Sequence, residues 1–235
     1  ESDGLPGEAC KEMEIPVQAQ WLTQRAEPSY DASHRRCHRL KLRDGRERLY
    51  ETYVPSGSAN GLLLCLHGWL KTSSFACEAY CQRYADQLNY VAACPLGSQR
   101  PTDWCTAPSS ACQAHGTRGW NTHEGQGWWQ ADDVQFISQL VDRVKDDFGL
   151  AKRAKTFAAG FSFGGAMVYR LSCELAYKFD GFAVAGMGWD PDAQGPLTPH
   201  INQIAGVRFI PSAWIRGVWT ELALATPNQR HRPLL

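Results

Sequence analysis

No run of apolar residues in this chain approaches the about 18 that a membrane-spanning helix needs, and no basic stretch followed by an apolar one opens it. The first absence excludes such a helix and the second a visible signal peptide. The chain begins at Glu1 rather than Met, which reads as a processed chain or a fragment. A charge excess is missing as well: Lys plus Arg and Asp plus Glu each number 24, so the formal net charge is zero. Without a basic stripe, nucleic acid and anionic membrane are not expected partners, and a neutral or weakly charged ligand suits the chain better. Metal-ligand spacing is scarce too. His34, Cys37 and His38 lie close together, but no second cysteine pair stands at ligand distance, so the trio reads as part of a solvated polar segment. No metal and no cofactor is expected. Residues 1–43 lack a sustained hydrophobic period and read as a polar leader ahead of a domain spanning 44–235.

What is present begins with size, since 235 residues suit one α/β domain. Nine cysteines are too few for a disulfide scaffold and more than a cytosolic enzyme usually carries, which favours oxidising surroundings. Cys105 and Cys112 bracket a loop of Pro, Ser and Ala and form the pair best suited to a bridge, whereas Cys65 and Cys94 sit in apolar runs and read as buried free thiols. Nine tryptophans gather mostly after Trp104, either as core or as a platform for a ring-bearing ligand.

The stretch with a mechanism in it is Gly160, Phe161, Ser162, Phe163, Gly164, Gly165. A G-x-S-x-G sequence puts a serine on a sharp strand-to-helix bend, where the glycines remove the Cβ atoms that would clash. The flanks fit: the apolar run 155–159 predicts a strand, and Met167, Leu171 and Leu175, with charges between them, predict a helix. Elsewhere the pattern predicts strands at 49–54, 61–67, 90–94 and 182–185. Helices are predicted from the hydroxyl pair Ser73 and Ser74 to Leu88, and from Asp132 and Asp133 to Phe148. The order strand, helix, strand implies parallel pairing, and the whole predicts a doubly wound, mostly parallel sheet with helices on both faces. Between about 99 and 130 runs a long irregular excursion holding Trp104, Trp120, Trp128 and Trp129; a loop that long inside a domain is usually functional.

Residues 64–68 (LCLHG), Trp120 with Asn121, 132–137 (DDVQFI) and 160–170 (GFSFGGAMVYR) with Cys173 and Glu174 together resemble one family. It is the secreted feruloyl esterases and poly(3-hydroxybutyrate) depolymerases, a branch of the α/β-hydrolases, and the resemblance covers roughly residues 49–188. It implies an α/β-hydrolase-like fold and an extracellular serine esterase cleaving hydroxycinnamoyl esters of plant-wall polysaccharide or aliphatic polyesters. Its partner is then a small or polysaccharide-linked ester; oligomeric state is unspecified. Ser162 becomes the nucleophile, and the backbone N–H groups of Phe163 and of Trp69, after His67 and Gly68, become the oxyanion donors. His67 is expected to brace that loop rather than act as base. Trp120 and Asn121 fall near the mouth of the family's site, and with Trp128 and Trp129 are candidates to line it.

After Met187 the chain departs from the family, whose acid-bearing and histidine-bearing segments are not recognisable. The C-terminal part reads as truncated or divergent. Asp190 and Asp192 come early for the acid and Glu221 at a better distance, while His200 and His231 are the only histidines downstream of Ser162. Two other readings stay open: a remnant that kept the serine and lost its base, and an intracellular peptidase or lipase of the same fold.

Overall fold

The computed structural model describes residues 34–69, 77, 81–99, 118–122 and 131–186. Among the described residues six strands form one sheet. In chain order they are β1 (Arg35–Lys41), β2 (Glu47–Tyr53), β3 (Gly61–Leu66), β4 (Tyr90–Pro95), β7 (Lys155–Phe161) and β8 (Gly181–Ala185), and in space they run β1-β2-β4-β3-β7-β8, while β5 (Ser98–Gln99) and β6 (Arg118–Gly119) pair with each other in a separate ribbon. The pairs β3 with β4, β3 with β7 and β7 with β8 are parallel; β1 with β2 and β2 with β4 are antiparallel. The mostly parallel sheet read from the sequence is thus present, with an antiparallel hairpin added at one edge.

Strand β3 lies at the centre because its sequence, Gly-Leu-Leu-Leu-Cys-Leu, gives both faces something apolar to bury, and all six residues are buried. Even-numbered side chains Leu62, Leu64 and Leu66 face one layer, shared with Phe136, Ile137 and Leu140 of α2 (Asp133–Asp147) and Met167 and Leu171 of α3 (Phe163–Glu174). Leu63 and Cys65 face the other, against Tyr84 and Ala85 of α1 (Gln82–Leu88). Helices therefore cover both faces. Helix α2 starts as its sequence predicts: Asp132 is the cap and accepts the Gln135 N–H at 2.8 Å. Helix α1 ends at Asn89, whose left-handed backbone (φ 52°) is a common helix stop; Ser73 and Ser74, its expected start, lie outside the described residues.

Two readings need correcting. The segment to residue 43 is not all leader, because β1 occupies Arg35–Lys41 and pairs with β2 from Arg35 opposite Tyr53 to Lys41 opposite Glu47. An edge strand needs few apolar residues. Cys37 and Leu40 are buried while the arginines and lysine blunt the outer edge, so the stretch lacks the alternation by which strands are recognised. His34 and His38 stack on Tyr53 and Tyr50, with ring centroids 5.5 and 4.6 Å apart.

The second correction concerns sulfur. Cys65 is bonded to Cys81 and Cys94 to Cys77, with Cα separations of 6.4 and 5.8 Å. The parallel register sets Leu64 opposite Ala93, so Cys65 and Cys94 stand side by side on one face of the sheet. Cys77 and Cys81, four residues apart, meet them, so two bridges fasten the start of α1 and the chain just before it to the two central strands. Cys37 is also in a disulfide, while Cys173 is the free thiol among the described residues. The pair Cys105 and Cys112 lies outside them.

Candidate active site

The end of β7 turns into α3 through Ser162, whose backbone sits at φ 52° and ψ −120°. This is a region that a residue with a Cβ rarely enters, and strain of that kind is held only where the surroundings enforce it. The enforcing contacts are visible. Ser162 N–H donates to the carbonyl of Ala185 at the end of β8, at 2.8 Å, and its own carbonyl accepts from Ala166 at 3.1 Å in the first turn of α3. The two glycines of the motif have steric reasons: a Cβ on Gly160 would collide with the backbone of Gly164, and one on Gly164 would lie 2.6 Å from the carbonyl oxygen of His67. The bend can close only because both lack it.

The second glycine shows what the turn is packed against, namely the end of β3. There the chain continues as His67, Gly68, Trp69, and a Cβ on Gly68 would be 3.4 Å from the Cβ of Ser162. The loop proposed from sequence to supply an oxyanion donor therefore passes beside the serine. Phe163, the other proposed donor, opens α3, so its backbone N–H belongs to the positive end of that helix. Trp69 is 44% exposed at the rim.

His67 is wholly buried and held at three points. Gly97 N–H donates to Nε2 at 2.9 Å, Nδ1 lies 2.8 Å from the Gly68 carbonyl, and the Trp120 indole N–H donates to the His67 carbonyl at 2.9 Å. Because Nε2 accepts, the proton of the neutral ring is on Nδ1, which donates to Gly68. Burial pushes its pKa down to about 4, against the smaller upward pull of the Gly68 carbonyl. A ring fixed this way braces a loop.

Trp120 is buried, against the sequence expectation that it lines a ligand surface, and Asn121 is half-buried. Trp120 is 0% exposed and tilts over His67 with centroids 4.9 Å apart. Asn121 spends its groups inward: its N–H goes to Asp133 Oδ2 (2.6 Å), its side-chain amide to the Ala131 carbonyl (3.1 Å), and its carbonyl accepts from Arg170 Nη1 (2.8 Å). The buried Asp133 carboxylate also meets Arg48 at 2.7 Å, and Arg48 lies over the Phe136 ring at 4.1 Å. Burial pushes the Asp133 carboxyl up, and the positive charge of Arg48 pulls it back. Arg170, on α3, is paired with Glu174 at 2.5 Å. Sequence reasoning missed this frame, since Asp132 and Asp133 look alike as acidic residues at a helix start, yet one caps it and the other turns inward. Gly97 carried no signal either.

Trp128, Trp129, Asp190, Glu221, His200 and His231 lie outside the described residues. The described histidines are engaged elsewhere: His34 Nδ1 is 2.6 Å from the Val54 carbonyl and His38 Nε2 is 2.8 Å from Thr52 Oγ1, so the trio with Cys37 serves the β1–β2 edge. Among the described residues no cluster could hold a metal ion. No helix there is long and apolar enough to cross a membrane.

A parallel-centred sheet carrying a strained serine between strand and helix is an α/β-hydrolase-like fold. A solved structure described as a thermostable esterase superposes with a TM-score of 0.50 over 75% of this chain and 45% of that one, at 13% identity, which speaks to the fold alone. Among sequences, feruloyl esterase C of Emericella nidulans is 37% identical over 75 residues, 31% of this chain and 27% of that protein. The bifunctional acetylxylan esterase/xylanase XynS20E of Neocallimastix patriciarum is 25% identical over 146 residues, 61% of this chain and 18% of that protein. The chain spans less than a third of the length of the curated relatives it matches. No family model matches it.

Proposed function

We propose that the chain is a secreted serine carboxylic-ester hydrolase acting on feruloyl or related acyl esters of plant-wall polysaccharide. The observation that carries this reading is the backbone of Ser162, at φ 52° on the strand-to-helix turn, with Gly68 packed beside its Cβ. Strain of this kind serves to present a hydroxyl. In the reaction Ser162 Oγ attacks the ester carbonyl while a base takes its proton, and the Phe163 and Trp69 N–H groups receive the negative charge forming on the carbonyl oxygen. The alcohol leaves with a proton from that base, and water repeats the sequence to release the acid. The names of the two relatives support a feruloyl or acetyl ester, the latter on xylan, and the disulfides support an oxidising compartment outside the cell.

The test is turnover of methyl ferulate and p-nitrophenyl acetate, with fluorophosphonate labelling of the intact protein. Ser162→Ala is expected to abolish labelling and to lower kcat by about 10⁶ where a complete triad operates. Labelling that survives the substitution would refute the assignment. A second reading is a binding remnant without chemistry, favoured by one observation: His34, His38 and His67 are all committed away from Ser162. A protein that binds ferulate, does not turn over either ester and is not labelled would establish that reading.

A further inference from the structure

We infer that Trp120 is a positioning residue for the oxyanion loop, acting as the end of a buried strut that fixes the distance between that loop and the nucleophile helix. The inference rests on the serine-hydrolase reading for its catalytic consequence, but the strut stands on contacts of its own. Residues 118–122 return to the sheet as a short ribbon, Ser98 opposite Gly119 and Gln99 opposite Arg118, directly after β4. The ribbon closes tightly: a Cβ on Gly97 would lie 2.5 Å from the Gly119 carbonyl oxygen, and Arg118 Nη1 donates to the Gly97 carbonyl at 3.2 Å. Both partners in this ribbon then grip the same residue, Gly97 by the ring nitrogen of His67 and Trp120 by its carbonyl.

The His67 carbonyl is one residue removed from the peptide that carries the proposed Trp69 donor. Holding it from the indole N–H, and the ring from Gly97, leaves the His67-Gly68-Trp69 backbone little freedom to rotate. From Trp120 the strut continues to Asn121, whose carbonyl is bonded to Arg170 on α3 and whose N–H is bonded to Asp133 at the start of α2. Arg170 sits two turns along the helix that begins at Ser162. One segment of chain is thus tied to the loop at one residue, through a buried hydrogen bond, and to the helix that follows Ser162 at the next, through partly buried ones. A displacement of about 1 Å between a nucleophile and an oxyanion donor is enough to cost up to about a hundredfold in rate.

The experiment removes only the indole N–H, by placing 3-benzothienylalanine at position 120 of the full chain. Trp120→Phe serves as a second variant that also removes ring volume. Three quantities are compared with the unaltered protein: kcat and KM on p-nitrophenyl acetate, melting temperature, and amide hydrogen exchange of the peptide containing Gly68 and Trp69. The expected result for the isosteric variant is a kcat lower by about ten- to a hundredfold, KM within about twofold, and about tenfold faster exchange at Gly68 and Trp69. A purely structural tryptophan would lower the melting temperature while leaving kcat of the folded protein and the local exchange as they were, and that result would overturn the inference. Should the unaltered protein not turn over esters, the reading of function fails separately. The exchange comparison still decides the strut: faster exchange at Gly68 and Trp69 supports it, and an unchanged rate refutes it.

Discussion

At the scale of single residues, His67 shows how a polar group near Ser162 can matter by bracing the backbone around it. Its ring is neutral because it is buried, and its pKa stands at about 4 against an ordinary value of 6.5. Between those values the unfolded chain binds a proton that the folded chain does not, so stability rises with pH there. The contribution is fully present above pH 6.5, is lost as pH falls toward 4, and amounts to about 3 kcal/mol over the whole interval. His67→Gln keeps an acceptor for the Gly97 N–H without a titrating group. The difference in unfolding free energy between the two proteins, followed by denaturant titration from pH 7.5 to 4, should therefore narrow or reverse by about that amount. His38, also lowered to about 4 chiefly by burial, is common to both and cancels. A difference that does not change with pH would mean that the ring is protonated in the fold. The bracing role was legible beforehand from the His-Gly step that closes an apolar strand, and the serine from its glycines. The partners were not, because Gly97, Trp120 and Asp133 reach the loop only through the sheet order and the return of residues 118–122.

At the scale of elements, the central strands and the helices α2 and α3 follow from hydrophobic periodicity, because a strand buried on both faces and a helix with one apolar stripe leave clear patterns. The edge strand β1 did not show, since an edge is stabilised by pairing and protected by charge. The disulfides failed for a different reason: Cys65 and Cys94 look like apolar residues of buried strands, and they are, but the parallel register also places them side by side. The available signal was the spacing of Cys77 and Cys81, one helical turn apart in the helix expected from the sequence between those strands. The bridges span sequence separations of 16 and 17 residues, so each should contribute about 3 kcal/mol by limiting the unfolded chain. The double variant Cys77→Ala, Cys94→Ala is expected to lose about 2–4 kcal/mol in guanidinium unfolding, with new proteolytic cleavage near α1 and an intact β7–α3 turn. Equal stability would show that the sheet and α1 hold without the bridge.

At the scale of the whole molecule, the turn at Ser162, the loop at 67–69 and the strut between them are built by the described residues around the β3–β7 pair. A complete acyl-transfer site needs one more part, a base. The chain has seven histidines, of which His34, His38 and His67 have their ring nitrogens at the Val54 carbonyl, the Thr52 hydroxyl and the Gly97 and Gly68 backbone. If the serine-esterase reading holds and its base lies within this sequence, proton transfer from Ser162 falls to one of His115, His123, His200 and His231, all outside the described residues. Sequence reasoning reached only the last two, because it placed the base after the nucleophile by family order rather than by eliminating histidines with other work. If the serine-esterase reading holds, kcat/KM should rise with pH through a value near 6.5, where an imidazole loses its proton, and not near 4, where His67 would titrate. Replacing the four by alanine one at a time should leave three variants near the parent rate. The fourth should lose about 10⁴-fold or more in kcat while keeping KM, with slower labelling by fluorophosphonate. Undiminished turnover in all four would sink the prediction and with it the view that an imidazole within this sequence activates Ser162.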